Sequence, residues 1–184
     1  MKELLRRMLK FSTNLTAEAA GLTATAAKGV STPSLIASGS RMAGWARTKF
    51  GANGVRFLDH SGLGYDSSIS PQDMVEILRG DTRVGELMKS MSLPNPRVKG
   101  ATLTKVAVSA KTGTLNFVSS LAGYVTTESN RTLVFAIFTA DTERRDAIPP
   151  EMRERPRGAR RWANQSRNLQ KQLLANWAVS FDQA

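Results

Sequence analysis

From Thr102 onward the chain changes character, and this change most limits what it can fold into. Three β-prone runs follow one another at 105–108, 116–127 and 131–140, with clearest cores at 117–125 and 132–139. They predict consecutive antiparallel strands, and Glu128-Ser129-Asn130 supplies a hairpin turn between the last two. Between the first two runs lies Ser109-Ala110-Lys111-Thr112-Gly113-Thr114-Leu115, which sets a cation, a hydroxyl and a glycine in a row. On a strand, Lys111 and Gly113 share one face and Thr112 takes the other. Gly113 has no Cβ, so a ligand or another segment can approach its backbone closely. Such a strand suits capture of an anionic, peptide-like molecule at a sheet edge. The plain alternative is a strand end with a solvated lysine and a turn glycine.

The remaining chain predicts helices. Residues 3–10 place Leu4, Leu5, Met8 and Leu9 on one face. Phe11-Ser12-Thr13-Asn14 interrupts that pattern, because Ser, Thr and Asn compete for backbone hydrogen bonds and favour caps. In isolation it reads as a helix–helix junction with Asn14 as N-cap of an alanine-rich helix over 15–27. A loop over 28–33 leads to a helix over 34–50, ended by Gly51 and Gly54. Residues 55–58 predict a short strand, and 59–66 a glycine-rich loop. That loop is no phosphate loop, since no Lys-Ser/Thr pair follows its glycines. Ser70 and Pro71 open the next helix, with Asp73 in its first turn. Residues 84–91 predict another short helix, stopped by Leu93-Pro94-Asn95-Pro96. After a charged connection over 141–161, residues 162–179 close the chain as an amphipathic helix bearing Trp162, Leu169, Leu173, Leu174 and Trp177. The two tryptophans read as core.

A length of 184 residues fits one domain or part of a larger one, and 41% hydrophobic content supports a buried core. Without cysteine, disulfide frameworks and thiolate metal sites are excluded. The single histidine, His60, rules out a histidine-rich metal site and reads as a solvated or packed loop residue. The formal charge of +11 favours anionic partners. Arg153, Arg155, Arg157, Arg160 and Arg161 form a basic cluster, read as a solvated surface, with docking on an anionic cell-wall polymer or membrane as the alternative. A nucleic-acid binder would interleave aromatics with such arginines, and none occurs there before Trp162. No stretch approaches a transmembrane span, and residues 1–10 lack the apolar core of a signal peptide.

Three separated motifs then fall in order: Ser12-Thr13-Asn14, Asp59-His60-Ser61-Gly62-Leu63 and Lys111-Thr112-Gly113. Asn14-Leu15-Thr16-Ala17-Glu18 follows the first, Ile69-Ser70-Pro71 the second, and the run 115–125 the third. The series resembles the serine D-alanyl-D-alanine carboxypeptidases of the class C low-molecular-mass penicillin-binding group, which also act as endopeptidases. The resemblance extends from about Leu4 to Trp177. It implies an α+β fold of the penicillin-recognising serine transferase, β-lactamase-like kind, an antiparallel sheet flanked by helices, of which residues 1–184 supply several helices and three strands. It implies no cofactor and no metal.

The family's nucleophile lies in a Ser-x-x-Lys motif N-terminal to everything here, and this sequence contains none. Thr25-Ala26-Ala27-Lys28 has the wrong order and the wrong nucleophile. The expectation is a C-terminal part of a DD-peptidase domain, with nucleophile, base and export signal upstream of Met1, and no activity alone. Two departures stand in the loop: His60 where the family usually has Gly, and Gly64-Tyr65 for its usual Ser-Arg. The implied reaction is acyl transfer through an acyl-serine, on peptidoglycan stem peptides or β-lactam antibiotics, in the periplasm. By resemblance, Ser12 relays a proton between the missing lysine and Lys111, and Asn14 holds the substrate amide. Lys111 attracts the substrate's carboxylate, Thr112 and Thr114 offer it hydroxyls, and Gly113 permits close approach. The Thr114 N–H is one oxyanion donor. Because helices from both chain ends cover the family's sheet, an exposed apolar face is expected, with poor solubility, a homodimer or association with the missing N-terminal half. The alternative is a non-catalytic or inactive module that binds cell-wall peptides or another anionic polymer.

Overall fold

The computed structural model describes residues 1–29, 34–154 and 156–182. It forms two compact units, Met1–Met88 and Lys89–Ala184. Part of the expected loop over 28–33, and Arg155 of the basic cluster, lie outside the described residues.

The first unit is helical: α1 (Lys2–Phe11), α2 (Asn14–Ala26), α3 (Leu35–Phe50), α4 (Pro71–Gly80) and a 3₁₀ turn at Thr82–Leu87. Glu3 in the first turn of α1 and Lys10 in its last turn complement the helix dipole. Ser12 caps α1 in the left-handed region, at φ 54° and ψ 50°. Thr13, with extended backbone, is the N-cap of α2, so Asn14 is the first helical residue rather than the cap. Ser34 caps α3 through the Ala37 N–H at 3.2 Å, and Ser70 caps α4 through the Asp73 N–H at 3.0 Å. Ala43, Ala46, Ala52 and Val55 form a small core with Phe50, Phe57, Ile69 and Ile77 around it. Alanines there let backbones approach. Gly39 of α3 lies so close to the chain at 57–59 that a Cβ would sit 2.8 Å from the Leu58 carbonyl carbon.

The expected strand over 55–58 is reduced to one bridge, in which Arg56 and Ser68 exchange bonds of 2.9 and 2.7 Å. The next backbone donor in line, Leu58 N–H, goes instead to Ser67 Oγ at 3.1 Å, which ends the ladder.

The second unit is built on a sheet of order β1-β2-β3-β4: β1 (Lys89–Ser90), β2 (Ala107–Leu115), β3 (Val118–Thr126) and β4 (Thr132–Ala140). All neighbours are antiparallel. Two expectations are corrected here. The helix over 84–91 shrinks to the 3₁₀ turn, and Lys89–Ser90 pairs with β2 instead, giving a fourth strand. The first long strand extends from Ala107 to Leu115, so Lys111 lies within it rather than at its end. α5 (Thr142–Asp146), a 3₁₀ turn (Pro150–Met152) and α6 (Ala159–Ser180) complete the unit.

Paired residues share a face, so the register divides the sheet cleanly. Val108, Ala110, Leu121, Val125, Phe135 and Ile137 pack with Leu174, Ala175 and Ala178 of α6. The buried stripe of α6 is Ala159, Ala163, Ser166, Gln170, Leu174, Ala175 and Ala178. Leu169, expected in that stripe, is 47% exposed. Gln170 is buried and fully used: its amide N–H donates to the Ser119 carbonyl at 3.0 Å, and its Oε1 accepts from Ser119 Oγ at 3.4 Å. Trp177 flanks this core, while Trp162 joins Phe117, Ile148 and Ala159 in a second cluster.

The β3–β4 turn is fastened to the end of α6. Asp182 accepts the Ser129 N–H at 2.7 Å, and Arg131 donates to the Phe181 carbonyl at 2.8 Å. Hydroxyl donation from Ser129 and Thr127, aided by Arg131, lowers the Asp182 pKa from 3.8 to about 2. The carboxylate is therefore favoured in the folded state. Its contribution is complete above about pH 4 and is lost as pH falls toward 2. In acid-range thermal melts, wild type is expected to exceed Asp182→Asn above pH 4, and the two curves to converge near pH 2.

Candidate active site

Ser12 and Asn14 stand two residues apart at the α1–α2 junction of the first unit, and both are exposed. A serine at positive φ stores local strain, which persists only where the surrounding chain holds it. The loop at 59–64 belongs to the same unit. Its own Asp59 carboxylate accepts the Gly62 N–H at 2.9 Å and the Gly64 N–H. Glu18 of α2 accepts two more loop donors, the His60 and Ser61 N–H groups, each at 3.0 Å. The His60 ring is packed inward. Its Nε2 lies 2.8 Å from Ser38 Oγ and its Nδ1 lies 3.4 Å from Met42 Sδ. Ser38 is fully buried and also meets Thr25 Oγ1 at 2.7 Å. The packed reading of His60 therefore holds.

Lys111, Thr112, Gly113 and Thr114 run along β2 of the second unit. β1 covers only Ser109 and Ala110, so among the described residues no strand pairs with 111–115 on the side away from β3. The Val108 carbonyl accepts the Met91 N–H at 3.2 Å, on the β1 side. Backbone groups alternate sides along a strand, and the β2–β3 register runs without a bulge. The N–H and C=O groups of Thr112 and Thr114 therefore face the open edge. The Lys111 ammonium also bonds the Thr112 carbonyl. Burial pushes the Lys111 pKa below its ordinary value, because the half-buried ammonium has lost part of its hydration.

By register Lys111 and Gly113 share a face with Ala122 and Ser120, and Thr112 and Thr114 share the α6 face with Leu121 and Ser119. Both threonines are nevertheless exposed. Gly113 lies against Ser120, whose Oγ would be 2.4 Å from an added Cβ. What the edge offers is a carbonyl, amide donors, two exposed hydroxyl-bearing residues and a partly desolvated cation. That set can hold an extended peptide by strand addition and an anionic group by charge.

Sequence reasoning passed over Glu18 and Ser38. Glu18 had a signal available, since it stands four residues after Asn14 and so shares its helix face. Ser38 had none, being one serine among several on α3. Arg153, Arg157, Arg160 and Arg161 are exposed, in keeping with a solvated basic surface.

The family model of D-Ala-D-Ala carboxypeptidase 3 (S13) matches residues 1–156. Penicillin-binding protein 4 from Haemophilus influenzae, solved with a β-lactam, is similar at 21% identity and TM-score 0.59, over 93% of this chain and 41% of its own. A second structure of that protein matches at 20% identity and TM-score 0.55, over 75% and 33%. The predatory endopeptidase of Bdellovibrio bacteriovorus, solved with an immunity protein, matches at 18% identity and TM-score 0.61, over 97% and 44%. No curated protein matches. The chain thus spans less than half the length of these solved structures. At such identities the likenesses carry the fold: the α+β architecture of penicillin-binding peptidases.

Proposed function

The chain belongs to the D-Ala-D-Ala carboxypeptidase 3 (S13) family, and we propose that it supplies two walls of a serine peptidase site for the D-Ala-D-Ala bond of peptidoglycan stem peptides. The observation that carries this reading is the open edge of β2, where outward-facing Thr112 and Thr114 backbone groups lie beside the Lys111 ammonium. An extended peptide adds along that edge, and Lys111 with the Thr112 and Thr114 hydroxyls binds its terminal carboxylate. The outward Thr114 N–H serves as one oxyanion donor, a group worth on the order of 10²–10³ in rate. Ser12, whose hydroxyl both donates and accepts, relays a proton to the leaving amine. Asn14 holds the substrate amide. β-Lactams enter as mimics of the same bond, and the proposed setting is the periplasm.

The acylating serine, which breaks the peptide bond and takes the acyl group, comes from outside residues 1–184, since no Ser-x-x-Lys occurs among them. The same fact favours a second reading, peptide binding without catalysis. Fluorescent penicillin tests both. Residues 1–184 are expected to remain unlabelled, and a protein that includes an upstream Ser-x-x-Lys segment is expected to label covalently and hydrolyse a D-Ala-D-Ala peptide. Labelling of residues 1–184 alone would sink the assignment of the nucleophile. An extended protein that binds peptide but never labels would establish the second reading. Any homodimer, or association with an N-terminal half, would use apolar side chains such as Phe11 and Leu15, which are 65% and 84% exposed.

A further inference from the structure

We propose that the loop at 59–64 is the positioning device for Ser12 and Asn14, held through Glu18 and keyed by the His60 ring against Gly21. The inference rests on the assignment of Ser12 and Asn14 to the peptidase site, and it adds the groups that set where those two side chains stand.

The argument starts from what does not hold α2. None of its described residues is buried, and Leu15 is 84% exposed. With Ala17 and Ala20 only half-buried, apolar packing fixes the rotation of this helix about its own axis weakly. A stripe of other contacts adds to it. Asn14, Glu18, Gly21 and Thr25 recur at helical spacing and share one face. Glu18 takes two backbone N–H groups of the loop, and such charge-assisted bonds are stronger than neutral ones. Gly21 leaves a hollow that the His60 ring fills, since an added Cβ would sit 2.0 Å from His60 Cγ. Thr25 bonds Ser38, which in turn meets His60 Nε2. Two points of one helix face, Glu18 and Gly21, thus meet the loop directly, a third, Thr25, reaches His60 through Ser38 of α3, and Asn14 is the next point on that face.

The strained backbone at Ser12 gives this grip a purpose. The end of α1 holds one side of this serine, since the Ser12 and Thr13 N–H groups both bond the Met8 carbonyl. Seating α2 against the loop fixes the other side. Because misplacement by about 1 Å can cost on the order of 100-fold in rate, seating α2 governs the proton relay assigned to Ser12 and the amide contact assigned to Asn14 without either group touching the loop. The three residues are positioning residues, not catalytic ones.

A paired substitution tests this in the 184-residue chain. Gly21→Ala should expel the His60 ring. The Gly21→Ala/His60→Gly pair should remove the clash and seat the helix again. The first readout is the Ser12 backbone and Asn14 side-chain amide resonances in ¹⁵N NMR. The second is affinity for an N-acylated tripeptide ending in D-Ala-D-Ala. Gly21→Ala is expected to shift both sets of resonances and weaken binding by about tenfold or more, and the pair to restore both to within about twofold. Glu18→Gln keeps the side-chain volume but replaces one acceptor oxygen with a donor. It is expected to move the same resonances while the loop's hydrogen-exchange protection at His60 and Ser61 falls.

Ser12 and Asn14 resonances that stay in place in Gly21→Ala would overturn the proposal. So would a single variant that fails to fold, or shifts, without rescue by His60→Gly. If wild type shows no peptide binding while the resonances move and return as stated, positioning stands and the peptidase reading falls. Peptide binding by wild type, with resonances indifferent to all three variants, gives the reverse.

Discussion

Gly123→Ala is expected to destabilise the sheet of the second unit severely. Gly123 sits in the middle of β3, paired with Ala110 on one side and Phe135 on the other. A Cβ there would lie 2.1 Å from the Ser109 carbonyl oxygen and 2.7 Å from Ala110 Cα. Both obstacles are backbone of the neighbouring strand, so relief requires prying β2 from β3 at the centre of the ladder. Overpacking of this kind costs about 3 kcal/mol or more, a large share of the roughly 5–15 kcal/mol that holds a typical domain. Urea titration followed by tryptophan fluorescence should show the midpoint collapse, since Trp162 and Trp177 report on this unit. Gly113→Ala is the control. It meets only the Ser120 hydroxyl, which can rotate away, and should melt close to wild type. A Gly123→Ala midpoint equal to that control would refute the close-packed register.

Lys111→Met is expected to abolish recognition while sparing the fold. The ammonium is half-buried, and the loss of hydration disfavours its charge and lowers its pKa. Removing a disfavoured charge while keeping the aliphatic stem should leave the melting temperature unchanged or slightly higher. Function moves the other way, because the anionic end of a ligand loses its counter-charge in a partly desolvated place. In a protein carrying the acylating serine, the second-order rate of penicillin acylation should fall by about 10²–10³-fold. An acylation rate within about threefold of wild type would remove Lys111 from the site.

How far the sequence carried each conclusion depends on the range of the forces involved. Local chemistry was readable. Ser70, Pro71 and Asp73 announce α4 because capping and φ restriction act within four residues. The β3–β4 hairpin was likewise visible in its turn residues, and Asn130 takes the left-handed conformation, φ 66°, that asparagine tolerates. What escaped was set by partners distant in sequence. Lys89–Ser90 has no strand signature of its own and becomes β1 because Ala110 and Ser109 offer an edge some twenty residues later. The α6 stripe was misjudged because small and polar residues, Ala163, Ser166 and Gln170, face the sheet, while Leu169 faces water. Gln170 is tolerated there only because Ser119 and its neighbours complete its hydrogen bonds. In the candidate site, the motifs single out Ser12, Asn14 and Lys111 by resemblance. No local pattern disclosed that His60 would lie in the hollow of Gly21, a fit that depends on a helix and a loop meeting.

The edge at 111–115, with which no described strand pairs on the side away from β3, has one more effect, on the company this protein keeps. A bare strand edge is a template that any extended chain can join, including another copy of itself. In the site proposed above this edge would be selective, because its lysine has lost part of its hydration and gains from a ligand that ends in a negative charge. A second copy approaches with a formal charge of +11 and is repelled before it can register. The basic charge spread over the chain is thus a guard against self-templated fibres, and its effect should be felt first in the stored, concentrated protein.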